Sequence, residues 1–178
     1  MKDPLFKSLN VPANVHPIDI KDLMVGNWVK DYRDNYFSRV VEINSELVLR
    51  DNKMNLIHEG SVTCTSDSPY DISSGRWIDY LEGIPLTEDI LKNNLFKRSF
   101  EGGSIKEWIL YVKTNHLRGY PNEVLFKIIQ RIDSRTTGLD KEIVSHTFIF
   151  NGNSEIKYVH NLQNLYRLLS GRDMEVSL

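Results

Sequence analysis

The chain has little of several features that mark particular protein classes. A single cysteine, Cys64, among 178 residues excludes an internal disulfide and a metal cage built from several cysteines. No apolar run approaches the roughly 18 residues of a membrane-spanning helix, and the N-terminal segment has no continuous apolar core of a secretory signal. These absences predict a protein that stays in a reducing cytoplasm and has no membrane partner.

An excess of charge of one sign is also missing. The chain has 22 Lys and Arg residues against 24 Asp and Glu residues, for a formal net charge of -2. Because a nucleic-acid-binding domain usually carries a basic patch, nucleic acid is not an expected partner. Charged residues at 26% and hydrophobic residues at 40% are typical of a globular protein, and this length is most simply one domain.

Catalytic and metal-binding motifs are absent as well. The five histidines never have the spacing H-x-x-x-H or H-E-x-x-H, and neither a phosphate-binding glycine loop nor a G-x-S-x-G turn occurs. His146 has apolar neighbours and is interpreted as a core or half-core histidine that is hydrogen-bonded to a backbone carbonyl. We therefore predict no catalytic residue, no metal and no cofactor, and a protein that is not an enzyme. A hydrolase whose site joins His58, His116 or His146 to a distant carboxylate remains an alternative.

The first third of the chain has the pattern of short strands. Pro4, Pro12 and Pro17 predict that residues 1–22 form an extended N-terminal arm. From Leu23 to about Thr65, short apolar runs alternate with polar breakers, which favours an SH3-like barrel and leaves an open meander as the alternative. The predicted runs are "LMVGNWV", "SRVVEI", "ELVLRD", "KMNLIH" and "SVTCT".

A short middle helix is predicted after Pro85. Thr87 is placed to cap its N-terminus. The acidic Glu88 and Asp89 lie in the first turn, where they interact favourably with the positive end of the helix dipole. Asn93 and Asn94 tolerate the left-handed backbone that ends a helix. Because so short a helix is unstable alone, we expect its apolar residues Ile90, Leu91 and Leu95 to lie on a sheet.

Clear strands follow. Residues 124–132 and 143–150 alternate between apolar and polar side chains, and the polar segment 133–142 between them predicts a hairpin with a long exposed loop. "WILYV" from Trp108 supplies a third strand, and the Gly-Gly pair in "EGGS" predicts a turn. The expected fold is α+β: a β-rich body with a short middle helix and a C-terminal helix packed on the sheet, forming a single domain over residues 23–178.

The predicted C-terminal helix has an unusual polar face. Its apolar stripe, expected to pack on the sheet, consists of Tyr158, Val159, Leu162, Leu165, Tyr166 and Leu169. On the opposite side His160, Gln163, Asn164 and Arg167 form a ridge of hydrogen-bond donors. These residue types lower helix propensity relative to Glu or Lys, so we interpret the ridge either as a contact with another protein or as a face that is solvated or satisfies nearby loop carbonyls. Gly171 is expected to stop the helix.

Three blocks of sequence resemble a known group. "DLMVGNWV", "GIPLTEDILKNNLF" and "IKYVHNLQNLYRLLSGRDMEV", in this order, are similar to conserved segments of a family of uncharacterised proteins from Bacteroidetes genomes and their phages or prophages. The blocks cover about a quarter of the chain. The resemblance implies a phage or prophage association and supplies no activity and no catalytic residues.

We therefore expect a non-enzymatic protein-interaction protein that is phage- or prophage-encoded and acts as a virion structural or accessory component. Its partners would be other protein subunits, contacted through the ridge of His160, Gln163, Asn164 and Arg167, and self-association is left open. The alternative is an intracellular effector that binds a small ligand or nucleic acid, for example a modulator of host defence.

Overall fold

The computed structural model describes residues 18–33, 36–50, 54, 56–65, 74–113, 123–137 and 140–178. The described residues divide into two compact units, Met1–Ile84 and Pro85–Leu178, and each unit contains one antiparallel five-stranded sheet. The strands that the sequence predicted within one domain over 23–178 therefore lie in two separate sheets, one in each unit. The α+β class is confirmed: most of the structure is strand, and the C-terminal helix packs on a sheet.

The N-terminal unit holds the first sheet, with strand order β4-β3-β2-β1-β5. Its strands are β1 (Trp28–Asp31), β2 (Tyr36–Arg50), β3 (Leu56–Thr65), β4 (Ser74–Trp77) and β5 (Leu81–Glu82), with 3-10 turns at Ile20–Asp22 and Ile78–Tyr80. One side of the sheet carries the core, which consists of Ile18, Leu23, Val29, Val40, Val62, Cys64, Ile78 and Leu81. Burial of these apolar side chains is the main force that holds the unit together.

Strong curvature brings distant strands of this sheet together. Asp31 on β1 and Arg76 on β4 are separated by two strands, which would place them about 14 Å apart in a flat sheet. Their side chains nevertheless form an ion pair, with Arg76 Nη1 2.5 Å from Asp31 Oδ2. Such bending is expected of the SH3-like barrel predicted for this half, and the barrel itself stays a prediction.

The strand boundaries differ from the sequence prediction. Asn44-Ser45 was expected to separate two strands, but both runs belong to the single strand β2, and the register merely shifts between Asn44 and Val48. The last two predicted runs likewise merge in β3. A polar pair between two apolar runs does not always form a turn. Here the polar residues lie in a β-bulge, so the strand continues without reversing direction.

The predicted N-terminal arm falls mostly outside the described residues. Its residues 1–17 are not described, so the expectation of an extended arm is not addressed there. Its last part, however, is not extended, because Ile20–Asp22 forms a 3-10 turn capped by the Asp19 side chain. Ile18 is buried in the core of the unit. The boundary expected at residue 22 therefore falls inside the packed structure.

The second unit holds the second sheet, with strand order β10-β9-β8-β7-β6. The elements are α1 (Glu88–Asn93), β6 (Lys97–Gly102), β7 (Ile105–Lys113), β8 (Glu123–Thr137), β9 (Asp140–Phe150), β10 (Ser154–Ile156) and α2 (Val159–Ser170). One face of the sheet supplies a core in which Trp108, Phe126, Ile128 and Phe148 are buried. Helix α2 packs on this sheet, as the sequence predicted.

The middle helix begins as predicted and ends differently. The Thr87 hydroxyl accepts a hydrogen bond from the Ile90 amide at 3.2 Å, which confirms the cap. Ile90 and Leu91 are buried. The expectation that Leu95 lies on the sheet is wrong, because Leu95 has a φ of 67° and its side chain is 77% exposed. The left-handed residue turns the chain so that Phe96 is buried instead.

The hairpin β8–β9 is longer than predicted. Residues 133–142 were expected to form a loop, but pairing continues from Asp133↔Ser145 past a bulge to Thr137↔Asp140. Polar residues can extend a strand when a partner strand satisfies their backbone groups. At the start of this extension the side chains also pair, since the Ser145 hydroxyl donates a hydrogen bond to the Asp133 carboxylate. The turn expected at "EGGS" is confirmed, since it joins β6 to β7 with Gly103 at a φ of 59°.

Candidate functional site

The predicted ridge lies on helix α2, whose ends are well defined. At the N-terminus the Asn161 side chain accepts a hydrogen bond from the Tyr158 amide at 3.3 Å. At the C-terminus Gly171 adopts a φ of 69° and donates its N–H to the Arg167 carbonyl at 2.8 Å. The prediction that Gly171 stops the helix is confirmed.

The ridge is not a continuous exposed surface. His160 and Gln163 are buried, with only 2% and 5% of their surfaces exposed, while Asn164 and Arg167 are half-buried. The Gln163 amide donates to the Met174 carbonyl at 3.4 Å, and Arg167 forms an ion pair with Asp173. The segment after the helix therefore returns along the ridge and covers it.

This arrangement corrects the sequence prediction. The ridge was placed opposite the buried stripe and without an acidic partner, yet its first two members are buried and Asp173 pairs with the last. The exposed position on the helix is Leu168, at 80%. A helical projection identifies the side of the helix that packs on the sheet. It cannot show that the C-terminal segment packs against another side. A contact of Asn164 and Arg167 with another protein stays a prediction.

The C-terminal segment is fixed by a second side chain. The amide of Asn94 donates to the Ser177 carbonyl at 2.8 Å, and its oxygen accepts from the Ser177 N–H at 2.9 Å. Asn94 thus satisfies both backbone groups of Ser177, as a neighbouring strand would. No strand is present within this described segment, and Met174 is buried in it.

His160 is the least satisfied polar group on the helix. Its ring stacks on Tyr158 with centroids 5.4 Å apart, and its Nδ1 atom has no hydrogen-bond partner. Burial disfavours the charged imidazolium and lowers the pKa of His160 to about 4. The residue is therefore neutral at physiological pH and behaves as part of the core.

A second group of polar residues, missed by the sequence analysis, surrounds Asp31 in the first unit. This fully buried carboxylate accepts hydrogen bonds from Arg33 Nε at 3.0 Å and Nη2 at 2.6 Å, and pairs with Arg76. Burial by itself would raise the pKa of Asp31, but the hydrogen bonds from the two arginines outweigh it and lower that pKa below its ordinary value. Asp31 stays ionised.

The same cluster continues through aromatic side chains. The Arg33 guanidinium lies 3.7 Å above the centre of the Tyr80 ring. The Tyr80 hydroxyl is 3.2 Å from His58 Nε2, and His58 Nδ1 is 2.8 Å from Asp79 Oδ2. The His58 ring also stacks on Trp77. This connected set of residues is called the Asp31 cluster below.

The Asp31 cluster has the order of a proton relay. With Nδ1–H donated to Asp79, His58 Nε2 would accept the proton of the Tyr80 hydroxyl. Each polar group is, however, engaged by another member of the cluster, which is the arrangement of a structural network. Among the described residues no group of three His, Cys, Asp or Glu side chains could hold a metal ion.

His146, predicted to lie in the core, is exposed on β9 at the end of another polar chain. Its Nδ1 is 3.0 Å from the Gln130 amide, and the buried Gln130 oxygen accepts the Trp108 indole N–H at 2.8 Å. This chain of hydrogen bonds connects the buried tryptophan to the surface.

Glu88 forms ion pairs with Lys106 and Lys92, which fits the structural role expected of it.

The second sheet also presents an apolar face opposite its core. Strand alternation places on this side four isoleucines and two aromatic residues: Ile105, Ile109, Ile129, Ile149, Phe100 and Tyr111. Phe100, Ile105 and Tyr111 are 55%, 43% and 60% exposed. An ion pair between Glu107 and Lys127 lies among them. We call these six residues the isoleucine face.

No protein-family model, curated protein or solved structure matches the chain. The resemblance to the Bacteroidetes phage and prophage family stays a prediction. No helix among the described residues is long and apolar enough to span a membrane.

The isoleucine face and the Asp31 cluster differ in how far the sequence alone could predict them. The continuous apolar run "WILYV" marks β7 as apolar on both faces, so a second apolar face could be predicted from sequence. The Asp31 cluster could not, because its members come from the end of β1, from β3 and β4, and from the 3-10 turn before β5. Residues 31, 58 and 79 share no local motif and meet only in the folded unit.

Proposed function

We propose that this chain is a non-enzymatic protein-interaction protein, and that the isoleucine face contacts another protein subunit. The observation that carries the proposal is the exposure of Phe100, Ile105 and Tyr111 on neighbouring strands of one face. Grouped apolar and aromatic side chains on a protein surface are typical of interfaces.

The charges on this face fit the same role. Glu107 and Lys127 pair with each other, so burial of this part of the face would not leave either charge alone. Lys97 and Arg131 lie on the same side and are exposed, which suits the solvated rim of a contact. Tyrosine, here Tyr111, is a frequent anchor in interfaces, because its ring is apolar and its hydroxyl can form a hydrogen bond. The half-buried isoleucines between the strands would supply the apolar centre.

Co-purification of tagged chain from the producing host tests this proposal. Changing Ile105→Ser and Tyr111→Ser together should reduce recovery of a discrete partner about tenfold, since loss of an interface anchor costs about 1–2 kcal/mol. Leu168→Ser is the control, because Leu168 is also a large apolar residue, is 80% exposed and lies on α2. Equal recovery by the double variant and the control would refute a contact through this face.

The resemblance extends the proposal to a biological setting. A phage- or prophage-encoded interaction protein would reside in the cytoplasm of the bacterial host and join the virion as a structural or accessory component. Mass spectrometry of purified particles tests this point, and consistent absence of the chain from particles would contradict the virion role.

The alternative is an effector that binds a small ligand or nucleic acid. Thermal-shift measurements with nucleotides and a filter-binding assay distinguish the two, because a ligand that binds only the folded state raises its stability. A stabilisation specific to one nucleotide would favour the effector and count against the interaction protein.

The Asp31 cluster supports a second candidate, a hydrolase. There His58, oriented by Asp79, would accept a proton from Tyr80 as that hydroxyl attacks a carbonyl or phosphoryl centre. The substrate's alcohol would leave with that proton, and water would then cleave the ester formed on Tyr80 and restore the hydroxyl. Model esters and phosphoesters would be hydrolysed by the wild type, and Tyr80→Phe would abolish that activity with the fold retained. No turnover, or equal turnover by Tyr80→Phe, would remove this candidate.

A further inference from the structure

Strand β6 is the edge of the second sheet. All six of its residues, Lys97–Gly102, are exposed. Within the described part of the chain, β7 is its only strand neighbour. An edge strand presents unpaired N–H and C=O groups in register, which is a template for another strand.

A β-bulge changes which side chains of β6 share a face. Arg98 pairs with Trp108 and Phe100 pairs with Glu107, so Ser99 is an extra residue between the two pairs. The shift places Arg98 and Glu101 on the same side of the strand. Their ion pair shows this directly, with Arg98 Nη1 2.6 Å from Glu101 Oε2.

From this geometry we infer that two copies of the chain pair through β6 in antiparallel orientation. The twofold axis passes between Ser99 and Phe100, so that Arg98 lies opposite Glu101 of the second copy and Lys97 lies opposite Gly102. Without the bulge, Arg98 and Glu101 would point to opposite faces and could not meet in this register. Two ion pairs then join the copies.

The other face of the paired strands supplies an apolar contact. Phe100 lies opposite Ser99 of the second copy, and Gly102 lies opposite Lys97 on the same face. The Phe100 ring lies over Gly102 of its own strand, since a Cβ added to Gly102 would lie 2.7 Å from the ring, and it would therefore contact the alkyl stem of Lys97 of the second copy. A symmetric, self-complementary interface follows.

The size of the contact sets its strength. Pairing six residues buries less than the roughly 1,200 Å² of small specific interfaces, so the dimer should dissociate on dilution. Its ion pairs are exposed, with Arg98 and Glu101 side chains 45% and 48% accessible, so salt should weaken the dimer. Phe100 belongs to both surfaces, but Arg98 and Glu101 lie on the opposite side of β6 from the isoleucine face, so charge reversals there test the pairing without testing the proposed function.

Sedimentation equilibrium of the full chain at about 10 to 500 µM tests the pairing. The wild type should shift from monomer to dimer over this range. Arg98→Glu places like charges opposite each other twice and should lower the association constant about tenfold, as should Glu101→Arg. The double variant Arg98→Glu with Glu101→Arg restores opposite charges without changing the net charge, and should return to within about threefold of the wild type.

The control is Lys157→Glu, which reverses an exposed charge away from β6 and should leave association unchanged. A wild type that stays monomeric throughout would overturn the inference. So would single variants that associate as well as the wild type, or a double variant that remains as weak as either single variant. Circular dichroism verifies that each variant is folded.

Discussion

His160 makes the stability of the second unit depend on pH. The imidazole is buried, its Nδ1 has no partner, and burial lowers its pKa from 6.5 to about 4. The unfolded chain therefore binds a proton between these pH values that the folded chain refuses. Stability is fully present above pH 6.5 and declines progressively as the pH falls from 6.5 to about 4.

The magnitude follows from the size of this shift. A pKa difference of one unit corresponds to about 1.4 kcal/mol, so complete protonation costs the folded unit about 3 kcal/mol. At pH 4.5 most of that penalty applies, so we expect a loss of about 2.5 kcal/mol relative to pH 7.5. The carboxylates with lowered pKa, such as Asp31, contribute their own loss only at more acidic pH.

Urea unfolding at several pH values measures the effect. The indole N–H resonance of Trp108, which is buried in the same unit, reports that unit by NMR. His160→Phe keeps a planar ring against Tyr158 and cannot titrate, so the loss between pH 7.5 and 4.5 should shrink by about 2 kcal/mol. His160→Gln serves as a second variant that cannot titrate.

The two variants that cannot titrate can refute the role of His160 in the pH dependence. If His160→Phe and His160→Gln lose as much stability between pH 7.5 and 4.5 as the wild type, burial of this imidazole does not set the pH dependence. Leu168→Ala, on the exposed side of α2, is the control and should keep the wild-type dependence.

Three further changes should destabilise the protein in urea unfolding. Asp31→Ala leaves the guanidinium of Arg76 without its buried carboxylate and should cost about 3 kcal/mol; a cost below 1 kcal/mol would mean that the ion pair is dispensable. Thr87→Ala removes the cap of α1 and should cost about 1 kcal/mol, whereas Thr87→Ser should restore most of it. Gly60→Ala should cost more than 1 kcal/mol, because φ is 76° and the new Cβ would lie 2.7 Å from Ile20 Cδ1; an unchanged midpoint would contradict this strain.

Local chemistry made parts of the fold predictable. The cap at Thr87 and the stop at Gly171 were read correctly because each depends on one residue and its immediate neighbours. The α+β class followed from alternation in the second half. Strand lengths were harder to predict, because a polar pair such as Asn44-Ser45 ends a strand in one context and forms a bulge in another.

The sites depended on longer-range packing. The ridge on α2 was predicted residue by residue, but its surroundings were not, because Asp173 and Met174 return along the helix only after the turn at Gly171. The shift of alternation at Ser99, which places Arg98 and Glu101 on one face, is likewise invisible in the order of residues. Both features require knowledge of which backbone groups pair.

The sequence by itself determined the composition of a globular α+β protein, the caps of its helices and the alternation that makes its strands. Only the tertiary structure decided that Asp31 is ionised and held by two arginines, that His160 is buried, and that β6 is left as an edge. The reason is physical: propensity and capping act over a few neighbouring residues, whereas burial and strand pairing join residues far apart in the chain.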